Sequence, residues 1–314
     1  MALPYLLSPD NIPTGAAASV APYLQRRGLL NGPTPGLLCE TIDGKKWLRS
    51  PSGSYDTHIH QFGTTEASVV VGFRYTNVTS SDPVALNNFG LAGGTTSVEW
   101  SLQNTGTFSC GRGGSTIGNF PIPQSGYIEV HAEATRLRAY LNGSATPFAD
   151  VTFASVTGYS YVRMYRCKWS WRDFYVAGVR LGEGYVRPAV LTVSASTGTA
   201  GGTASSPSDG VASIDDTEKW TVHASGQETE QALTGSVTDN PVSIPLVQVT
   251  TLASKTEPGY LAMTQEVNGG TDGGAKVLGL ALPTAHISTF ATNPATSAAW
   301  TKATVNSAVL TTGG

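Results

Sequence analysis

Residues 126–144 read GYIEVHAEATRLRAYLNGS, and their alternation decides the fold. In the second half, Leu137, Ala139 and Leu141 fall on one side of an extended chain while Arg136, Arg138 and Tyr140 fall on the other. That is the period of a strand with one wet face. Asn142-Gly143 then supplies a tight turn, because both residues tolerate positive φ. Working outward, the same pattern recurs in SVVVGFRYTNV (68–78), TSVEWSLQ (96–103), SYVRMYRCKW (160–169) and DFYVAGVRL (173–181). Turn residues and no sustained helical period lie between these runs. The expected fold is all-β: an antiparallel jelly-roll sandwich, not a βαβ arrangement.

Composition extends this reading to the whole chain. Of 314 residues 13% are charged, about half the usual share of roughly 25%, and 36 are glycine. With 40% hydrophobic residues, 27 of the total aromatic, the chain is able to bury a core and is long enough for about two domains. Charge is uneven. Residues 1–188 hold 15 basic and 12 acidic groups, whereas residues 189–314 hold 4 lysines, no arginine and 10 acidic groups. Neither half has the basic density that neutralises several phosphates, so nucleic acid is not an expected partner. The longest apolar runs, such as ASVVVGF at 67–73, are far shorter than the roughly 20 residues that cross a bilayer. No membrane insertion is expected, and MALPYLLSPDNIPTG, with Pro4 and no early Lys or Arg, does not read as a secretory signal.

The expected organisation has four parts. Residues 1–50, with six prolines and a proline-interrupted helix signal over 15–30, read as an arm or adaptor. Residues 51–190 read as the sandwich. Residues 191–210, dominated by SASTGTAGGTASSPSDG at 194–210, read as a linker or long loop. Residues 211–314 read as a smaller second β domain, closed by a helix that begins at Asn293-Pro294 and places Trp300, Ala303 and Leu310 on one face.

Motifs for chemistry are sparse. Cys39, Cys110 and Cys167 lack metal-ligand spacing and read as buried thiols. His58 and His60 in YDTHIH resemble the first metal motif of amidohydrolases over six residues only, with no further ligands in step, so no metal or cofactor is expected. Glu129 and Glu133 share a strand face but stand about 13 Å apart, at about 3.3 Å per residue, too far for a glycosidase pair. They read as a solvated face. CGRGGSTIG at 110–118 is glycine-rich without a strand-to-helix context and reads as a flexible loop. Asn77-Val78-Thr79 and Asn142-Gly143-Ser144 match a glycosylation sequon, as chance allows in a chain rich in Ser and Thr. No enzyme is expected.

One run stands apart. YVRMYRCKWSWRDFYV, 161–176, interleaves aromatic and basic residues, and a period of two places Tyr161, Arg163, Trp169 and Trp171 on one face. These four are the candidate ligand residues, the rings as stacking platforms for sugars and the arginine as a donor to hydroxyls. The competing reading makes the rings core and lets the arginines reach outward.

The strings GYIEVHAEATRLRAYLNGS and WRDFYVAGVRLG (171–182) resemble strands of concanavalin A-like and laminin-G-like jelly rolls. Joined to the Gly/Ser/Thr-rich second half and NPATSAAWT at 293–301, they resemble structural proteins of tailed-bacteriophage virions. Calcium ligands known in lectin-like members are not placed on this sequence. The resemblance implies a non-enzymatic tail fibre, tail tip or similar appendage that displays a lectin-like domain toward host surface glycans. Other virion proteins would be its partners, in a homo-oligomer guessed to be a trimer. Assembly would take place in the host cytoplasm, with the virion as its final location. A decoration, head-fibre or collar protein without ligand, and a carbohydrate-active enzyme or its binding module, are the alternatives.

Overall fold

A computed structural model describes residues 5–10, 12–16, 20, 24, 37–49, 57–76, 82–87, 97–113, 115–164, 169–186, 192–198, 228–234, 237, 241–253, 262–271, 276–277 and 284–313. For 57–64, 82–87, 163–164, 192–198, 228–234, 252, 276–277 and 284–285 it describes the backbone. The chain divides into two compact units, one drawn from Met1–Arg187 and one from Pro188–Gly314.

The first unit contains β1 (Tyr5–Leu7), β2 (Leu38–Ile42), β3 (Lys45–Arg49), β4 (Thr57–Glu66), β5 (Ser68–Thr76), β6 (Asp82–Asn87) and β7 (Val98–Gln103). It continues with β8 (Thr107–Arg112), β9 (Ser115–Pro121), β10 (Gly126–Glu133), β11 (Arg136–Leu141), β12 (Ala149–Thr152), β13 (Tyr159–Met164) and β14 (Ser170–Ala177). One sheet runs β12-β11-β10-β5-β14-β3-β2, with β1 also paired to β14; the other runs β4-β13-β6-β7-β8-β9. All pairings are antiparallel, and the unit is a jelly-roll sandwich.

Register explains the core. Val130 lies between Val71 and Ala139, and Ile128 between Phe73 and Leu141, so apolar positions of three strands stack on the inner face. The other sheet answers with Val98, Trp100, Leu102, Phe108 and Cys110, all buried. The turn at Asn142-Gly143 has φ values of 49° and 73°, as the strand-turn reading requires.

The aromatic run is not one strand. Sixteen residues at about 3.3 Å each would span more than ~50 Å, longer than the sandwich strands around it. The chain instead leaves the six-stranded sheet after Met164 and enters the eight-stranded sheet at Ser170. Within β14 the pairing slips between Arg172 and Tyr175, where Asp173 takes φ 51°. This extra residue reverses the phase, so Trp171 points inward before the bulge and Phe174 and Val176 point inward after it. Every residue of β14 is buried as a result.

Other expectations change. The segment expected as a separate arm supplies strands to the sheet: β1 pairs with Phe174–Val176, and β2 and β3 form a hairpin joined to Trp171. Alternating apolar residues in Tyr5–Leu7 outweigh the flanking prolines. Most of the helix signal over 15–30 lies outside the described residues. CGRGGSTIG is a hairpin, β8 and β9 pairing around Gly113, not a flexible loop.

The second unit has β15 (Thr192–Gly198), β16 (Glu228–Thr234), β17 (Val247–Ala253), β18 (Ala262–Val267), β19 (Gly270–Thr271), β20 (Lys276–Val277), β21 (Thr284–Phe290) and β22 (Val309–Gly313). One sheet runs β15-β16-β22-β18-β19, with β20 on β18, and a second pairs β17 with β21. Residues 192–198, expected as linker or loop, are thus strand, because Thr-Val and Ser-Thr suit a pleated surface despite their small size. Trp300, Phe290, Val267, Val305, Ala308 and Leu310 form its core. The terminal helix α1 covers only Lys302–Asn306. It starts at Thr301, whose side chain and that of Thr304 cap each other's backbone N–H groups, while Asn293–Ser297 forms a turn and Leu310 lies on a strand.

Candidate ligand-binding face

The four residues marked from sequence do not form a ligand face. Trp169 and Trp171 are 0% exposed, and Trp169 stacks on Phe73 at 5.3 Å while Trp171 meets Phe174 edge-on at 5.7 Å. A ring with no free face cannot stack on a sugar. Tyr161 is buried and belongs to the other sheet, on β13. Arg163 lies on the same strand, with its side chain outside the described residues. The backbones of His58 and His60 pair with Arg163 and Val162 across a register shift, so simple alternation does not relate them; their side chains are also outside the described residues.

The polar chemistry lies on the outer face of the eight-stranded sheet. β10 presents Tyr127, Glu129, His131 and Glu133 there, β5 presents Ser68, Val70, Gly72 and Arg74, and β11 presents Arg136, Arg138 and Tyr140. Half of this face is sealed. Glu129, expected to be solvated, is 0% exposed. Its carboxylate accepts from Arg180 Nε at 2.9 Å and Nη2 at 2.7 Å, from the Gly182 N–H at 2.8 Å and from the Tyr175 hydroxyl. The chain beyond β14 folds back over the sheet, and Leu181 packs on Val70, Tyr127, Tyr175 and Ala177. Gly72 permits this arrangement, since a Cβ there would stand 2.1 Å from the Tyr175 ring. Burial beside Tyr127 and Glu129 pushes the Tyr175 hydroxyl far above its ordinary pKa, which keeps it a donor. Alternation alone could not reveal this cover, because its residues follow β14 in the chain.

The other half is open. Arg138 Nη2 donates to Glu133 Oε2 at 2.8 Å and approaches His131 Nδ1 at 3.2 Å; His131 Nε2 meets Ser68 Oγ at 2.8 Å. Guanidinium only donates, so Nδ1 accepts and Nε2 carries the proton. Burial holds the His131 pKa below its ordinary value, against Glu133, which raises it, and with Arg138 and Arg180, which lower it. Beside them Arg136 grips Asp150 with two bonds of 2.8 and 2.6 Å, and that bonding lowers the Asp150 pKa. The result is a flat row of fixed donors and acceptors. Sequence reasoning missed His131 and Arg138 as partners because only cross-strand register places them opposite one another.

Asp173, at the bulge, is buried between Arg172 at 3.1 Å and Arg74 at 3.4 Å and accepts from the Val186 N–H. Burial still raises its pKa. Cys39 and Cys110 are buried free thiols, and desolvation pushes each up to about 11. Cys167 is outside the described residues.

No family model matches this chain, and no curated protein matches it. Among solved structures it is similar to a sialidase at 9% identity and a TM-score of 0.34, over 48% of this chain and 17% of that one. The carbohydrate-binding module CBM66 from Bacillus subtilis is 14% identical over 45% of this chain and 92% of its own, with a TM-score of 0.31. A Caenorhabditis elegans galectin, LEC-6, is 12% identical over 44% of this chain and 99% of its own, with a TM-score of 0.28. With likenesses of this size, function has to be read from this chain's own side chains.

Proposed function

We propose that this protein is a non-catalytic, lectin-like component of a tailed-bacteriophage particle that holds host surface glycans on the open half of its eight-stranded sheet. The observation that carries the glycan part is the row Ser68, His131, Glu133, Arg138, Arg136 and Asp150, whose polar groups are fixed by one another on adjacent strands. Rigid, charge-assisted donors and acceptors suit vicinal hydroxyls and lose little entropy on binding. Glu129 is sealed under its cover, and the carboxylates of the open row, Glu133 and Asp150, are each engaged by an arginine, an arrangement that serves holding more than hydrolysis. The virion part rests on the resemblance of the paired strands and of NPATSAAWT to phage structural proteins. In this reading the second unit packs against other virion proteins or further copies of the chain, in an oligomer formed in the host cytoplasm.

A glycan array with the full chain tests the first part: binding is expected, and Arg138→Ala is expected to weaken it by about tenfold, the loss of one charge-assisted bond. Binding unchanged by Arg138→Ala and by Asp150→Ala overturns this placement. Immunogold electron microscopy of particles tests the second, and label confined to soluble host fractions overturns it. A glycan-binding module of another assembly would share the first result and fail the second.

A further inference from the structure

We infer that the cover over the sealed half, residues 178–186, is an autoinhibitory strap: it occupies in cis the continuation of the glycan row and is displaced by saccharides long enough to need both halves. The inference rests on the glycan reading of the open half and adds to it a concealed half under its own control.

The strap is held as a bound peptide is held. Residues 178–186 belong to no strand, and side chains of the sheet read their backbone instead. The Leu181 N–H donates to the Tyr175 hydroxyl at 3.2 Å, the Gly182 N–H to Glu129 at 2.8 Å and the Val186 N–H to Asp173 at 3.2 Å. In the other direction, the Gly182 carbonyl accepts from the Tyr127 hydroxyl at 2.5 Å and the Gly184 carbonyl from Arg74 at 3.4 Å. Arg180 on Glu129 and Glu183 on Arg74 add ion pairs of 2.7 and 3.0 Å.

The groups beneath it extend the open row. Along β10, Tyr127 and Glu129 precede His131 and Glu133 on one face; β5 brings Arg74 to the sealed end and Ser68 to the open end, and on β11 Arg180 covers Tyr140 next to Arg138. From Tyr127 to Glu133 the row measures about 20 Å at about 3.3 Å per residue. Its hidden part offers a carboxylate, a guanidinium and two tyrosine hydroxyls on aromatic rings, the donors, acceptors and stacking faces that a sugar uses. A saccharide hydroxyl is able to take the place of each backbone group the strap supplies.

The fastening is polar. Leu181 is the strap side chain that packs on Val70, Tyr127, Tyr175 and Ala177, while Val179 is 63% and Tyr185 52% exposed. A segment with few buried apolar contacts and no ladder bonds opens locally at lower cost than the sheet beneath it. A ligand that needs the open state binds with an affinity reduced by the open fraction, so loosening the strap raises it.

Amide hydrogen exchange of the full-length chain, and an array printed with mono- and hexasaccharides of galactose, glucose, mannose and N-acetylglucosamine, test this. The Leu181, Gly182 and Val186 amides are expected to exchange by local opening, before those of β10. Leu181→Ser is expected to speed that exchange and to raise hexasaccharide affinity about tenfold while leaving monosaccharide binding unchanged. Should Leu181→Ser fail to fold, Glu183→Ala, at a partly exposed carboxylate, is expected to give the same pattern at about threefold. Strap amides that exchange no earlier than β10, or hexasaccharide affinity that loosening leaves unchanged or lowers, overturn the inference; in that case a loss of binding on Arg138→Ala leaves the open-half reading standing. An array that stays blank with every variant overturns both.

Discussion

Glu129 and Arg180, 51 residues apart in the chain, meet in a two-pronged ion pair whose carboxylate has no exposed surface. Arg180 also lies over the Tyr140 ring, its guanidinium carbon 3.5 Å from the ring centre. Together these contacts fasten the chain that follows β14 onto the sheet. Glu129→Ala leaves Arg180, Tyr175 and the Gly182 N–H without their acceptor, and breaking a buried pair from one side costs about 3–5 kcal/mol. Because Arg180 is partly exposed, the lower end, about 3 kcal/mol, is the expectation. Urea denaturation measures it, and limited proteolysis between Val179 and Tyr185 is expected to accelerate in the same variant.

His131 gives the sandwich a pH dependence whose direction follows from its bonds. In the fold its pKa lies below the ordinary 6.5, chiefly through burial. An unfolded chain therefore takes up a proton on acidification before the folded one does. The stabilisation is present above 6.5 and is lost as the pH falls through the folded value. Protonation would also turn Nδ1 from acceptor to donor, facing Arg138. The melting temperature is expected to fall between about pH 7 and pH 5, and His131→Gln is expected to flatten that fall relative to the parent. Equal slopes in the two proteins would remove His131 from the account.

The fold was legible because its signals are local. Leu137, Ala139 and Leu141 against Arg136 and Arg138, followed by Asn142-Gly143, define a strand and its turn within eight residues. The site was not legible, because each of its parts depends on register. The bulge at Asp173 reverses the phase of the aromatic run, and a strict period of two cannot see an extra residue. The glycines of CGRGGSTIG suggest a loop, yet Gly111 is there so that two strands can approach. Glu129 sits on the outer face, as alternation places it, but is buried by a segment some fifty residues later in sequence.

The tryptophans separate a core role from a ligand role. Trp169→Ala and Trp171→Ala are each expected to cost about 3–5 kcal/mol, the usual loss for a large aromatic removed from a packed interior. Both indole N–H groups lack a hydrogen-bond partner among the described residues, so the loss is one of packing. Glycan affinity per folded molecule is expected to stay unchanged, as read by titration normalised to the native fraction from near-ultraviolet circular dichroism. A selective loss of affinity at unchanged stability would return these rings to a binding role.

Gly72 tests the close approach beneath the cover. Its substitution by alanine drives a methyl group into the Tyr175 ring, which has Glu129 and Leu181 around it and little room to move. The expected cost is about 1–3 kcal/mol from overpacking, read as a lowered urea midpoint. The double variant Gly72→Ala/Tyr175→Leu is expected to recover part of that cost, since the clashing ring is gone.

Removal of residues 1–40 tests whether the N-terminal segment is an arm or part of the sheet. Tyr5 and Leu7 are buried, Tyr5 meets Phe174 edge-on at 6.3 Å, and β1 pairs with Phe174–Val176 along the edge of β14. Asp10 holds the buried Arg172 through two contacts of 3.0 Å, and the Ile12 carbonyl accepts from Lys46. β2 would be cut after Glu40, which itself accepts from Ser170 and Arg49. The truncation therefore uncovers an aromatic core, takes Asp10 away from the buried Arg172, which keeps Asp173, and bares the strand edge of β14, which invites association with other chains. The shortened protein is expected to aggregate, or to lose its cooperative thermal transition and near-ultraviolet signal, whatever its effect on particle attachment. A detached arm would behave otherwise: the sandwich would melt at the temperature of the full chain, and that single result would show that β1 and β2 are dispensable to the sheet they join.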